Sequence, residues 1–215
     1  MRDIAPVAGL VRTPNVMEVT NSLPVRSVKE FIDYCKAHPG KINMASSGSG
    51  TSVHLSGELF KTMTGCDMVH VPYRGNGPML QALLTNDVQL VFDTPTLVTP
   101  HIQSGKLVAL AVSGEQRLDK LPDTPTVRET GLVDFANQGR IFVLATKGTP
   151  EAVQNFLNKE FAAALDSKEV NERLVGLGLS VPTSAENTVA SVTRHIDDFA
   201  AVYGKLIAEL GIKAE

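Results

Sequence analysis

Between Met44 and Leu55 the chain reads Met44-Ala45-Ser46-Ser47-Gly48-Ser49-Gly50-Thr51-Ser52-Val53-His54-Leu55, and this stretch limits the fold more than any other. Lys41-Ile42-Asn43-Met44 reads as a short strand. Beyond the loop, Leu55, Leu59 and Met63 recur at i, i+4 and i+8 with Phe60 beside them, the period of a helix with one apolar face. A strand therefore hands over to a helix through glycines and small hydroxyl residues. At such a handover the free backbone N–H groups and the positive end of the helix dipole point at one spot. That spot favours an anion, so a carboxylate or phosphate site is expected here.

The same alternation runs along the rest of the chain and predicts an α/β fold with mainly parallel strands. Strands are expected at Ile4 to Val11, Met17 to Thr20, Met68 to Val71, Val88 to Phe92, Leu107 to Val112, Ile141 to Ala145 and Leu179 to Val181. Ser27, with Glu30 three residues on, is a capping box for a helix that packs Val28, Phe31, Ile32 and Cys35 and stops at His38-Pro39-Gly40. Further helices are expected from Ser52 to Thr64, from Gly77-Pro78 onward, from Leu97 to Ser104, from Pro150 to Asp166 and from Ser184 to Leu210. Ser113 to Val127 is polar and proline-bearing and reads as a long surface loop, followed by one helical turn from Thr126 to Thr130 that Gly131 ends. The pattern pauses around Phe135 to Arg140, and a second junction lies near residue 17. These read as two crossings between lobes, with residues 17–138 an inserted lobe and residues 1–16 and 139–215 the remainder of the other.

Composition narrows the function classes. Hydrophobic residues at 43% and charged residues at 20% describe an ordinary globular chain of 215 residues. A formal net charge of −3 gives no reason to expect nucleic-acid binding, and any anion must be held by local dipoles and hydrogen bonds. Cys35 and Cys66 lack metal-ligand spacing and read as packing residues rather than a bridge. No apolar run is long enough to span a bilayer, and the chain opens in a strand with no secretory leader ahead of it. That is the expectation for a chain with its front removed.

Three strand-end loops are polar at one expected edge: Ala45 to Thr51, Pro72 to Asn76, and Asp93 to Thr96. In an open parallel sheet ligands bind beyond the carboxyl ends of the strands. Capping alone needs fewer serines and glycines than the first loop carries. The loop is not a phosphate-loop fingerprint, because no lysine follows Gly50, and it lacks the third glycine of a dinucleotide site. His54, in the first turn of its helix, is expected to be neutral and bonded to the adjacent loop. Asp93 is expected to orient Thr94 or the facing loop. Arg74 pairs either with an anionic ligand or with a surface carboxylate, and Arg140 is either an inter-lobe contact or a cleft charge. His70, in mid-strand, and His101 join no metal set, and no cofactor is implied.

Ser46 to Leu55, Val69-His70-Val71-Pro72-Tyr73-Arg74-Gly75, Phe92-Asp93, Gly105 to Val112 and Leu121 to Val127 together resemble the tripartite tricarboxylate transporter receptors, the Bug or TctC-like family. The resemblance implies a two-lobed periplasmic-binding-protein-like fold, here with its first lobe incomplete, that closes around a small carboxylate on a hinge. It implies delivery to a membrane permease, no enzymatic activity, and a periplasmic location, or a cytoplasmic one if Met1 is the natural start. Carried over, Ser46, Ser47, Ser49, Gly50 and Thr51 look like the carboxylate cradle and Asp93 and Thr94 its neighbouring loop, with His54, Tyr73 and Arg74 as further candidates. Two departures are expected: the chain starts after the leader and glycine-rich first-lobe segment that the resemblance implies, and Gln138-Gly139-Arg140-Ile141 stands where members show an aromatic Ser-Trp-Phe-like segment. Half a cleft is expected to hold its ligand only at millimolar strength. The competing readings are a truncated receptor that self-associates as an interaction module, and, as the least supported, an esterase.

Overall fold

Short apolar runs followed by helical periods fold here as strand–helix units. The computed structural model describes residues 3–135, 137–209 and 211–212, without the side chains of Val202 and Glu209. In chain order the elements are β1 (Ile4–Pro14), β2 (Val16–Thr20), α1 (Val28–Ala37), β3 (Ile42–Ser46), α2 (Ser52–Thr64), β4 (Met68–Pro72), α3 (Asn76–Leu84), β5 (Leu90–Asp93), α4 (Pro95–Gln103) and β6 (Leu107–Val112). A 3-10 turn (Arg128–Thr130), β7 (Gln138–Thr146), α5 (Glu151–Asp166), α6 (Lys168–Gly176) and α7 (Val189–Glu209) follow. The chain divides into two units, one covering Pro14–Gly139, the other joining the segment that ends at Thr13 to the one running from Arg140 into α7.

The Pro14–Gly139 unit is built on a five-stranded sheet in the order β4-β3-β5-β2-β6. β3 runs parallel to β4 and β5, whereas β2 runs antiparallel to both β5 and β6. Four strands thus share one direction and β2 opposes them. β3, β4 and β5 are joined through α2 and α3, as parallel neighbours require. The ladder puts Met44 beside Leu90, and Met17 beside Phe92, on one face. That face packs under α1 and α2, where Phe31, Phe60, Phe92 and Phe135 meet ring to ring at 5.9, 6.1 and 6.0 Å. α2 lies so close to β3 that a Cβ on Gly57 would strike the Sδ of fully buried Met44.

The second unit holds a two-stranded sheet of β1 and β7 with α5, α6 and α7. The side chain of buried Asn187 donates to the carbonyl of Gly9 at 2.8 Å and accepts from its N–H at 2.7 Å, standing in for a strand partner along β1. Asn158 adds a bond to the carbonyl of Val7 at 2.8 Å.

Several expectations shift. The capping box closes on Arg26: Ser27 accepts from Glu30 N–H, but the Glu30 carboxylate reaches back to the Arg26 N–H. Leu179 to Val181 is no strand. Ser180 alone bridges to Arg12, because one residue pair is all that approaches. α6 was not expected, since Lys168–Gly176 is short, mostly polar and buries no residue. α7 starts at Val189 instead of Ser184, with Thr188 accepting from the Ser191 N–H. The polar stretch after β6 is no simple surface loop: Leu121 packs with Val16 and Val98, and Arg117 grips Glu129 at 3.0 Å. Ala136 and Leu210, which fall within expected segments, lie outside the described residues. The two thiols, Cys35 and Cys66, are buried and unbridged within hydrogen-bonding reach of each other.

Gly57→Ala is expected to destabilise the chain by about 1–3 kcal/mol, as Met44 must leave its site. Urea denaturation checks it, and an unchanged midpoint would mean that α2 rides further from β3.

Candidate anion-binding site at the ends of the parallel strands

β3, β4 and β5 end side by side, and each is followed by a helix that starts at the same edge. Ser46 pairs with Pro72 in the β3–β4 register, and Ala45 with Val91 in the β3–β5 register. The loops are stitched together. The N–H of Tyr73 donates to Ser46 O at 2.8 Å and that of Gly75 to Ser47 O at 3.2 Å. Asn76, at the start of α3, donates its side-chain amide to Oδ1 of Asp93 at 2.5 Å, and the Thr94 N–H reaches the same oxygen at 2.6 Å. Asp93 therefore fixes the first residues of α3 and α4 together.

In the first loop Gly48 and Gly50 have φ of 139° and 79°, which lets the chain turn sharply between β3 and α2. Thr51 caps α2: its hydroxyl accepts from the His54 N–H at 3.3 Å and donates to Gly48 O at 2.8 Å. The amides of Ser52 and Val53, next in the helix, have no acceptor within the helix by its geometry. Ser47 and Ser49 are half-buried and Gly50 is exposed, so they line the mouth of the loop. Ser46 does not. It is fully buried, its hydroxyl 2.7 Å from Nε2 of His70 and 3.2 Å from Gly48 O.

His54 is buried and stacked on His70 with ring centroids 3.8 Å apart. Its Nδ1 accepts from the Gly50 N–H at 3.0 Å, so this nitrogen carries no proton and its Nε2–H faces Glu58 at 3.7 Å. Burial works against the charge on Glu58, but hydrogen bonds from His54 and Lys61 outweigh it and hold the carboxyl below its usual range. Of the remaining sequence candidates, Tyr73 is half-buried and Arg74 exposed, both in the second loop. Arg140 belongs to the other unit. Among the described residues no group of three or more His, Cys, Asp or Glu is placed to hold a metal, and no helix is long and apolar enough to cross a membrane.

Residues 1–212 match the family described as Tripartite tricarboxylate transporter family receptor. The chain belongs to that family. It is 32% identical to the protein BugT of Bordetella pertussis, over 98% of this chain and 65% of BugT. It is 31% identical to a protein from Pseudomonas sp. strain P51, over 99% of this chain and 63% of that one. The chain thus spans less than two thirds of the length of these relatives. Among solved structures, a Rhodopseudomonas palustris protein, Rpa4515 with adipate, superposes with a TM-score of 0.88 at 34% identity, covering 98% of this chain and 69% of that one. MatC from the same organism, with bound malate, gives 0.86 at 29% identity, over 95% of this chain and 69% of MatC. The periplasmic binding protein BugD gives 0.86 at 28% identity, over 99% of this chain and 71% of BugD.

Within this receptor fold some residues that organise the site escape a reading of the sequence. His70 reads as a mid-strand residue, yet it carries the Ser46 hydroxyl and the His54 ring. Asn15 and Asn137, where the chain enters and leaves the unit, both donate to Ser56 of α2, at 3.1 and 2.8 Å. Polar residues close to apolar strands were the only available signal, and nothing in their spacing links them.

Thr51→Ala is expected to cost about 1 kcal/mol, as the α2 cap is lost together with a bond to Gly48. Equilibrium urea unfolding measures it, and a neutral result would mean that the loop holds α2 without the hydroxyl.

Proposed function

We propose that the chain is the part of a transporter receptor that holds one carboxylate of a small aliphatic diacid at the edge formed by residues 46–51, 72–76 and 93–94. The carrying observation is the convergence of three helix N-termini, at Ser52, Asn76 and Pro95, on one stitched set of loops. In this reading Ser47 and Ser49 offer hydroxyl donors and the amides of Ser52 and Val53 at the start of α2 face the anion, while Gly50 and Thr51, whose own donors go to His54 and Gly48, give the loop its shape. Thr94 borders it, and Tyr73 and Arg74 approach from the second loop. Ser46 and His54 support the cradle from beneath. Asp93 holds the loops and does not face the anion. The Pro14–Gly139 unit is taken as the inserted lobe expected at 17–138, the solute is passed to a membrane permease, and the protein works in the periplasm.

The acid class rests on the relatives whose structures contain adipate and malate. Each hydrogen bond to a carboxylate contributes about 1.5–3 kcal/mol. Three or four of them offset much of the association cost of several kcal/mol. Burial of Ser46 supports capture without chemistry: a serine 2.7 Å from a histidine resembles a nucleophile and its base, but this hydroxyl is fully buried and bonded to Gly48.

Thermal unfolding in the presence of adipate, malate and a monocarboxylate tests this reading. A solute at a hundred times its dissociation constant stabilises by about 2.7 kcal/mol. A rise in melting temperature with a diacid, absent in Ser49→Asp, is expected. No rise with any acid, or a rise that survives Ser49→Asp, would contradict it.

A further inference from the structure

β2 carries a carboxylate where a strand interior calls for an apolar side chain. Glu18 is fully buried, and neither of its oxygens has a hydrogen-bond partner; the same holds for Oδ2 of Asp93. The ladder explains why the two belong together. Glu18 sits opposite Val91 and Val16 opposite Asp93, so Glu18 and Asp93 are diagonal neighbours on one face of the sheet. That face is the one packed by Leu80 of α3, by Val98 and Ile102 of α4, and by Leu118 and Leu121.

Two carboxylates placed so close and so dry do not both ionise. A protonated carboxyl, unlike a carboxylate, has an O–H to donate. Only one of the two has donors around it already: Oδ1 of Asp93 takes Asn76 and Thr94. The proton therefore belongs on Glu18, and Oδ2 of Asp93 is the buried oxygen on the same face that has no donor of its own. Burial, and then the Asp93 charge, push the Glu18 carboxyl well up. Burial also raises Asp93, against the pull of Thr94 and Asn76.

Among the described residues of this unit no competing partner faces the pair. β2, β3, β6 and α3 carry no other ionisable side chain. α4 brings only His101, half-buried in its last turn. Glu115, Arg117, Asp119, Lys120 and Asp123, in the segment after β6, are exposed. The charged residues of α1 and α2 belong to helices on the opposite face, where Phe60 meets Phe92.

We propose that Glu18 is a positioning residue for the solute site: its proton, donated to Asp93, keeps the starts of α3 and α4 in place, and losing it lowers affinity for carboxylates. This rests on the proposed solute site. Deprotonation would add a second negative charge behind the loops and push Asp93 off the donors that fix Asn76 and Thr94.

Both folded-state carboxyls titrate above their usual range, so stability is complete below about pH 4 and is lost as pH rises through the folded values. Each retained proton makes the folding equilibrium fall about tenfold per pH unit in that window. Three readouts on the whole chain, wild type against Glu18→Gln, decide the matter. Infrared spectroscopy is expected to show the carbonyl band of a protonated carboxylic acid at neutral pH in the wild type and not in Glu18→Gln. The loss of stability with rising pH is expected to flatten in the variant. Adipate affinity, measured where adipate is fully ionised, is expected to fall with pH in the wild type and stay level in the variant.

No such band in the wild type, or a band that survives Glu18→Gln, would overturn the proton assignment. An adipate pH profile shared by both proteins would overturn the positioning role. No adipate binding at any pH, with the band present, would instead overturn the solute site itself and with it the effect on affinity. Glu18→Val, a residue suited to a strand interior, supplies the same comparison if Glu18→Gln does not fold.

Discussion

Parallel strands joined by helices put every helix N-terminus at the same edge of their sheet, and the rest of this molecule follows from that constraint. Three such starts in a row, after β3, β4 and β5, concentrate unpaired amides and the positive ends of three dipoles. Much of the positive potential comes from the backbone, so Arg74 is the one basic side chain in these loops and the chain keeps a net charge of −3. What the side chains must do is hold the three starts in register. Asp93 does this by taking Asn76 and Thr94 on one oxygen, and the stacked pair of His54 and His70 does it for the first loop through Gly50 and Ser46.

That holding is done by buried polar groups, and it costs stability. An apolar pair in place of Glu18 and Asp93 would suit the sheet better. The same tension recurs at Asn15, Asn137 and Ser56, where two side-chain oxygens are buried without a partner while the amides secure the passages into and out of the unit. Apolar packing supplies the counterweight. The run of four phenylalanines and the close seat of Gly57 on Met44 hold α1 and α2 against the face of the sheet opposite Glu18.

Much of this was legible in the residues. The Ser-Gly loop, the period of Leu55, Leu59 and Met63, and the apolar strands around it marked both the α/β class and the place where helices begin. The family followed from several motifs read together, and the match over residues 1–212 bears it out. The reversed direction of β2 was not legible, because strand sequence carries no sign of direction and only the connections decide it. α6 escaped because it is short and mostly polar, with too few apolar residues to mark it between two longer helices. Within the site, a cap at Thr51 or Ser52 was readable from their place before the helix, and the structure gives it to Thr51. The positions of His70 and Glu18 were not, since their partners lie 24 residues away in the first case and on a neighbouring strand in the second. Ser46 was grouped with the donors of the loop, but the last residue of β3 points into the core.

The central claim is that these loops hold a carboxylate through backbone and hydroxyl donors. Titrating the isotope-labelled chain with adipate, and following backbone amide resonances, tests it most directly. The account predicts that Gly48, Ser49, Gly50, Thr51 and Thr94 shift most and saturate together. The largest shifts falling on residues of the other unit, or none at all at millimolar adipate, would contradict it.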